Sequence, residues 1–444
     1  MTASATRARP AGNATGPAAP GAGGPPAPHG PAQRSRGPAS GRADGRVGKL
    51  GSFRLQQLVL LETAAALLLA AWVVDPLLLA PAVVIAGLLV LLAVVRRHRR
   101  SLPELLGTVL SLRARSRRAA ALELPAGTEP GIAPVVECDP ALRTYSFSDR
   151  DRRPVGMIGD GTFVTAVLQV ESDVSALRPD RTAQPLPLAL VRDVLEVDGI
   201  RLESAQIVQH TQPAPAPHLP QQSVAARNYA PLQAQTGSPA VRITWIALKL
   251  DPELCPEAVQ ARGGGITGAQ KCVVRAADQL SSRLTGAGFR ATVLTEQELT
   301  SAIATSVCAS ASAMTQAGLI GTPVRRTEET ARTWRCDDRW HTTYWVARWP
   351  QFGGTGGAAM PQLVALLTSI PALATTFSLT LGHGERQGVS ITGHIRITGR
   401  SDEELLGARH ELERTARGVR TSLVRLDREQ LPGVLATLPL GGTR

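Results

Sequence analysis

The sequence predicts an N-terminal two-helix transmembrane hairpin followed by an α/β region of α+β type, and three observations carry that expectation. Residues 55–95 form one almost unbroken apolar run, arginines crowd both of its ends, and past residue 135 short β-like runs alternate with amphipathic helices. A chain of 444 residues with 43% hydrophobic side chains holds such an anchor plus one or two packed domains of roughly 150 residues each.

Charge sharpens the first point. The 48 basic residues exceed the 36 acidic ones, for a net +12. All of that excess lies in residues 1–118, where 16 Lys and Arg face only Asp44, Glu62, Asp75 and Glu104; the rest of the chain carries 32 of each sign. Positive charge bracketing an apolar segment is a topology signal, whereas a phosphate-binding groove spreads its basic residues over a folded surface, so no nucleic-acid partner is expected. Five scattered cysteines, Cys138, Cys255, Cys272, Cys308 and Cys336, contain no CxxC pair. Such a set argues against a disulfide framework or a zinc ribbon and suits a reducing compartment.

Residues 1–50 are rich in Ala, Pro and Gly, too poor in large apolar side chains to bury a core, and are expected to be a disordered tail. The first apolar run starts near Leu55, too late for the hydrophobic part of a signal peptide. Its 41 residues are about twice the ~20 a helix needs to cross the bilayer core. Asp75-Pro76 divides it, because the residue before proline is pushed out of the helical region, leaving spans at 55–74 and 77–95. Arg46, Lys49 and Arg54 precede the hairpin, Arg96, Arg97, His98, Arg99 and Arg100 follow it, and the turn has no positive charge. Both termini are therefore expected in the cytoplasm, with the chain in the cell membrane. Glu62 is the one acid within the first span; it reads either as an intramembrane contact for a neighbouring helix or as a carboxylate reaching the interface. Ser101 to Glu104 resembles a capping box that opens a juxtamembrane amphipathic helix over 101–122. Its Arg113 and Arg115 suit either anionic headgroups or a partner's cytoplasmic domain.

Beyond it, Phe163–Val170, Arg201–Gln209, Ala240–Leu250 and Phe289–Leu294 read as strands, and Leu186–Val197 and Thr267–Leu284 as helices. The order β-α-β-β-α-β recurs with strand His341–Arg348, helix Gln362–Ser369, strands Thr375–Leu381 and Gly388–Thr398, helix Asp402–Arg417 and strand Ser422–Leu426. Two tandem β-α-β-β-α-β modules are expected, at 135–300 and 336–444, with a helix and linker over 301–335 and an extended loop over 211–239. A single larger α/β sheet is the other arrangement this pattern allows.

Catalytic motifs are sparse. Gly263, Gly265 and Gly268 spell GxGxxG, but about a dozen residues separate them from the preceding strand, so a loop opening a helix is favoured over a dinucleotide site. No GxxxxGK[ST] or GxSxG occurs. Asp149 with Asp151, and Asp337 with Asp338, are embedded among arginines and read as turns with local ion pairs rather than metal sites. His383 and His394 flank a predicted hairpin without HExxH or a cysteine partner. No catalytic, cofactor or metal residues are expected. Four of the six tryptophans, Trp334, Trp340, Trp345 and Trp349, fall together with Tyr344. Trp340 and Tyr344 are expected on one face of a strand and Trp345 and Trp349 on the other, either in a doubly buried core or in a subunit interface.

Val95-Arg96-Arg97-His98-Arg99-Arg100 closing a hairpin, followed by Pro154-Val-Gly-Met-Ile-Gly-Asp160-Gly161-Thr-Phe163, resembles the EccE family, a membrane component of actinobacterial type VII secretion. Arg227-Asn228-Tyr229, the segment Arg326 to Trp334, and Leu431 to Pro439 with the following Leu-Gly-Gly are similar too, so the resemblance runs from about residue 50 to the end. It implies a non-catalytic structural subunit of a membrane core complex with EccB, EccC and EccD family proteins, in which EccC supplies the ATPase and small WXG100-type proteins are exported. The alternative from the residues is a membrane-tethered nucleotide- or sugar-binding enzyme, glycosyltransferase-like, using Asp149, Asp151 and the glycine loop.

Overall fold

In the computed structural model the chain is described over residues 55–442, apart from 76–78, 95, 98–99, 123, 126–127, 150–151, 173–184, 214–223, 225–226, 229–240, 321–324, 352–358 and 385–387. The expected tail 1–50, Pro76, Asp151 and nearly all of the 211–239 loop lie outside the described residues. Helices α1 (Leu55–Val74) and α2 (Leu79–Val94) lie against each other as a hairpin. Ala64, Ala71, Ala82 and Ala86 are the buried side chains, while Leu69, Trp72, Val84 and Leu88 stay exposed. Small residues let two helix backbones approach closely, and the large apolar ones are left on the outside. Among the described residues no helix is long and apolar enough to cross a membrane. The 16 residues of α2 rise about 24 Å at 1.5 Å each, short of a ~30 Å hydrocarbon core, so the two expected spans are not established by this structure. Helix α3 (Leu102–Ala120) follows, then short α4 (Ala133–Cys138).

Twelve strands form one antiparallel sheet. In chain order the first half contributes β1 (Arg143–Ser148), β2 (Pro154–Gly159), β3 (Val164–Ser172), helix α5 (Leu188–Asp193), β4 (Ser204–Gln212), β5 (Val241–Leu250), helices α6 (Pro256–Ala261) and α7 (Gly265–Gly286), β6 (Phe289–Val293) and helix α8 (Glu296–Ser306). After helix α9 (Ala311–Ile320) the second half contributes β7 (Thr327–Glu329), β8 (Trp334–Cys336), β9 (Arg339–Arg348), helix α10 (Met360–Thr368), β10 (Ala374–His383), β11 (Val389–Gly399), helix α11 (Asp402–Gly418), β12 (Ser422–Arg425) and helix α12 (Gln430–Leu435). The first half runs β6-β3-β5-β4 and the second β12-β9-β11-β10. Each half thus has the same order, places a hairpin ahead of its first strand, and ends in a helix. Strands β4 and β10 pair from Ser204 opposite Gly382 to Thr211 opposite Thr375, which welds both halves into one sheet. The two β-α-β-β-α-β orders therefore lie in one large sheet rather than in separate sheets.

Alternation along each strand feeds two cores. Ile395 and Ile397 of β11, with Ile246 and Leu248 of β5, face α5, α7, α10 and α11 through Val191, Leu280, Leu363 and Leu405. Val167, Val208, Trp245 and Trp334 face the other way, under Val135 of α4, Ile303 of α8 and Val434 of α12. A sheet covered on both faces explains why its strands read as nearly continuous apolar runs. The caps are local: Thr295 and Glu298 close a capping box on α8, and Ser401 accepts the Glu404 amide at the start of α11.

Two expectations need correction. The helix Leu186–Val197 is only Leu188–Asp193, because Asp198 and Gly199 take φ of 51° and 76° and turn Glu196–Val197 back onto Ile200–Arg201 as a two-stranded ribbon. The stretch 301–335, expected as helix and linker, holds the end of α8, α9 and the β7–β8 hairpin; these strands have three residues each, too few to show a period.

Candidate interaction site

An arginine ties helix α3 to the second half of the sheet. Arg115 donates from Nε to Glu329 Oε2 at 2.8 Å, and from Nη2 to Glu329 Oε1 at 2.9 Å and to the Arg428 carbonyl at 2.7 Å. Glu329 also accepts the Leu431 amide at 3.0 Å, so this one carboxylate ties α3, the β7–β8 hairpin and α12 together. A bidentate guanidinium–carboxylate pair is directional as well as attractive. Arg115, singled out for contact with a partner, is thus engaged inside the chain. Arg113 points to solvent beside Arg117 and Arg118, and Glu62 is exposed on α1.

The aromatic cluster divides between the two faces. Tyr344 is buried, and its hydroxyl donates to Glu413 Oε1 at 2.8 Å; burial pushes its phenol well up. Trp340 is half-buried on the same core, with the Arg335 guanidinium 5.6 Å over its ring. Trp349 joins them, edge-on to Phe377 at 6.4 Å. It was expected on the face of Trp345, but a register shift between Val346 and Arg348 inserts a residue into β9 and reverses the alternation beyond it. Gly393 makes room for it, since a Cβ there would sit 2.5 Å from the Trp349 ring. Trp345 lies on the opposite face, as Trp334 does, half-buried and paired with His394.

The acid clusters are ion pairs. Arg326 grips Asp337 with Nε at 2.8 Å and Nη2 at 2.6 Å, and Asp337 also accepts the Ser310 amide. Asp338 pairs with Arg339 at 3.0 Å, and Arg153 reaches both Asp149 and Asp278. Among the described residues no group of three metal-ligating side chains forms. His383 and His394 do not approach each other: they sit opposite Val389 and Ser378 on the β10–β11 ladder; His383 Nε2 lies 2.9 Å from the Leu202 carbonyl, and His394 is buried. The glycine motif packs two helices. Gly263, Gly264 and Gly265 take φ of 111°, 68° and 55° ahead of α7, and a Cβ on Gly268 would lie 2.3 Å from the Val259 carbonyl of α6. Gly268→Ala is therefore expected to cost about 2 kcal/mol, read as a lower urea midpoint at unchanged slope.

Sequence reasoning missed a buried polar layer. Glu137 of α4 accepts the Arg326 and Thr327 amides and the Thr327 hydroxyl, and burial pushes its carboxyl up. His210, His341, His394 and Arg396 are all buried, with Arg396 reaching Ser306 at the end of α8. Their one sequence signal is the alternation His394-Ile-Arg396-Ile-Thr398, polar at every position facing away from the α7 and α11 side.

Residues 238–346 match the family model described as "Putative type VII ESX secretion system translocon, EccE". Over that segment the chain is similar to the EccE family. The matched segment runs from β5 to the middle of β9 and includes Arg326, Glu329, Asp337, Trp340, Tyr344 and Trp345, while Glu62, Arg113, Arg115 and Trp349 fall outside it. No curated protein matches the chain. Two solved structures of alkyldihydroxyacetonephosphate synthase, in different crystal forms, align with 59% and 61% of this chain and 40% and 42% of their own, at 9% identity and TM-scores of 0.25 and 0.22. The chain thus spans less than half the length of those enzymes, and at such scores the likeness carries no argument.

Proposed function

We propose that this chain is a non-catalytic structural subunit of a type VII secretion membrane core complex, assembled with EccB, EccC and EccD family proteins around the export of WXG100-type substrates. The EccE match over residues 238–346 carries the reading. In it, the hairpin of α1 and α2 anchors the chain in the cell membrane with both termini cytoplasmic, supported by the exposed Leu69, Val84 and Leu88 and by the basic flanks. Helix α3 carries the restraint from the bilayer to the sheet through Arg115 and Glu329. Glu62 and Arg113 are exposed and Trp345 is half-buried, leaving them for neighbouring subunits or anionic headgroups, whereas Tyr344, Trp340 and Trp349 act by packing the sheet.

The test is purification of the tagged full chain from membranes in mild detergent. Co-elution in a large complex with an ATPase is expected, together with no saturable nucleotide binding by the isolated full chain. Tight nucleotide binding without any co-eluting ATPase would sink the reading in favour of the membrane-tethered enzyme.

A further inference from the structure

Each half of the sheet opens on a hairpin whose first strand lies at a sheet edge, β1 in the first half and β7 in the second. The two edges are finished differently. On β7 the Asp337 amide donates to the Arg326 carbonyl and the Thr330 amide to the Thr333 carbonyl, so even-numbered residues face β8 and Thr327 turns its N–H outward. Glu137 of α4 accepts that N–H at 2.8 Å, and Arg115 of α3 holds the neighbouring Glu329. A carboxylate and a helix close this edge.

No such closure exists at β1. Asp149 donates from its amide to the Arg153 carbonyl, directly across the turn, at 3.1 Å. That bond sets the phase of the ladder with β2: odd-numbered residues point their backbone groups at β2, and Thr144, Ser146 and Ser148 point theirs outward. Pro154, which has no N–H to give, falls opposite Ser148 as this phase requires. Among the described residues nothing pairs with the outer edge, and Ser146 and Ser148 are exposed. The six residues of β1 include no proline, lysine or bulge, the devices by which folds usually guard an edge.

The side chains specify what fits there. Arg143, Tyr145 and Phe147 alternate onto the face of the α7 core, where Tyr145 and Phe147 pack half-buried at its rim, and Asp149 continues that face. When two copies of β1 run antiparallel with Ser146 on the two-fold axis, Arg143 stands opposite the second copy's Asp149 and Tyr145 opposite its Phe147. These facing pairs share no backbone bonds, so their side chains come closest. Asp149 keeps Arg153 at 3.6 Å and has lone pairs left for a second arginine. Thr144 meets Ser148, Ser146 meets itself, and about six backbone hydrogen bonds form. A slip to the next allowed register moves Asp149 off Arg143, so charge selects this one.

We propose that β1 pairs with β1 of a second copy of this chain across a two-fold axis, continuing the twelve-stranded sheet of one copy into that of the other. Such a contact is self-complementary and closed, and it leaves β1 no free edge.

The experiment is cysteine crosslinking of the full chain by mild oxidation of the unfractionated cell extract, with light scattering of the purified chain in detergent. Ser146→Cys faces its own copy at a Cα separation of about 5.5 Å and is expected to form a disulfide dimer above the wild-type background, which Cys138 and Cys308, both half-buried, set. Ser148→Cys lies about 14 Å from its own copy, beyond disulfide reach, and is expected to crosslink only with co-expressed Thr144→Cys. Ser146→Pro removes an outward N–H and none of the ladder with β2, so thermal unfolding is unchanged while the dimer dissociation constant rises about 30-fold. A monomeric wild type, a dimer indifferent to Ser146→Pro, equal crosslinking of Ser146→Cys and Ser148→Cys, or a crosslink from Ser146→Cys to a different protein would each overturn the pairing. If Ser146→Pro fails to fold, the crosslinking pattern and the wild-type mass decide.

Discussion

Taking the protein from pH 7.5 to pH 5.5 is expected to cost about 4 kcal/mol of folding stability, most of it from three buried histidines. Burial pushes His210 down to about 3 and His394 down to about 4, and holds His341 well below its ordinary value, with Arg396 adding repulsion at His210 and His341. These groups are neutral in the folded chain and take up protons in the unfolded one near the ordinary value of about 6.5. Stability is therefore fully present above pH ~6.5 and falls as the pH drops toward the folded values, by about 1.4 kcal/mol per histidine at one unit below. Glu137, whose carboxyl is raised, works in the opposite sense and softens the fall. Urea unfolding at pH 7.5, 6.5 and 5.5 measures this. His210→Gln and His394→Gln are each expected to flatten the profile by about a third, and unchanged slopes in both would assign the acid sensitivity elsewhere.

The second large effect is at the restraint on α3. Glu329→Ala is expected to destabilise the protein by about 3 kcal/mol, because its carboxylate is 6% exposed and serves Arg115 and the Leu431 amide together. Arg115→Ala is expected to cost less, about 1 to 2 kcal/mol, since its side chain is 19% exposed and water recovers part of the loss. The double variant should cost less than the two singles added, the signature of direct coupling. Hydrogen exchange separates local from global loss: in Glu329→Ala the amides of α3 should lose protection before those of β9. Additive losses, or α3 protected as in the wild type, would show that the pair does not hold the helix.

Much of the architecture was readable because it is local. Period-two and period-3.6 patterns placed the eight main strands and the long helices, and the repeat of β-α-β-β-α-β stood in the residues themselves. The small elements escaped for a physical reason: β7 and β8 have three residues each, and their stability comes from pairing with β9 rather than from any pattern of their own. The site was less legible. Arg115 and Tyr344 stand out in the sequence as candidates for contact with a partner, but the residues they bind within the chain, Glu329 and Glu413, lie 214 and 69 residues away, and no local signal reaches that far.

Sequence alone specified a basic-flanked apolar hairpin, a strand and helix order used twice, and a likeness to EccE, because charge placement, periodicity and segment identity are properties of neighbours along the chain. Only the folded molecule decided that both halves share one sheet through β4 and β10, that a bulge in β9 turns Trp349 toward the helical core, and that Arg396 lies buried against Ser306 of α8. Each depends on which strand edges meet and what covers them, and an edge becomes a partner only in three dimensions.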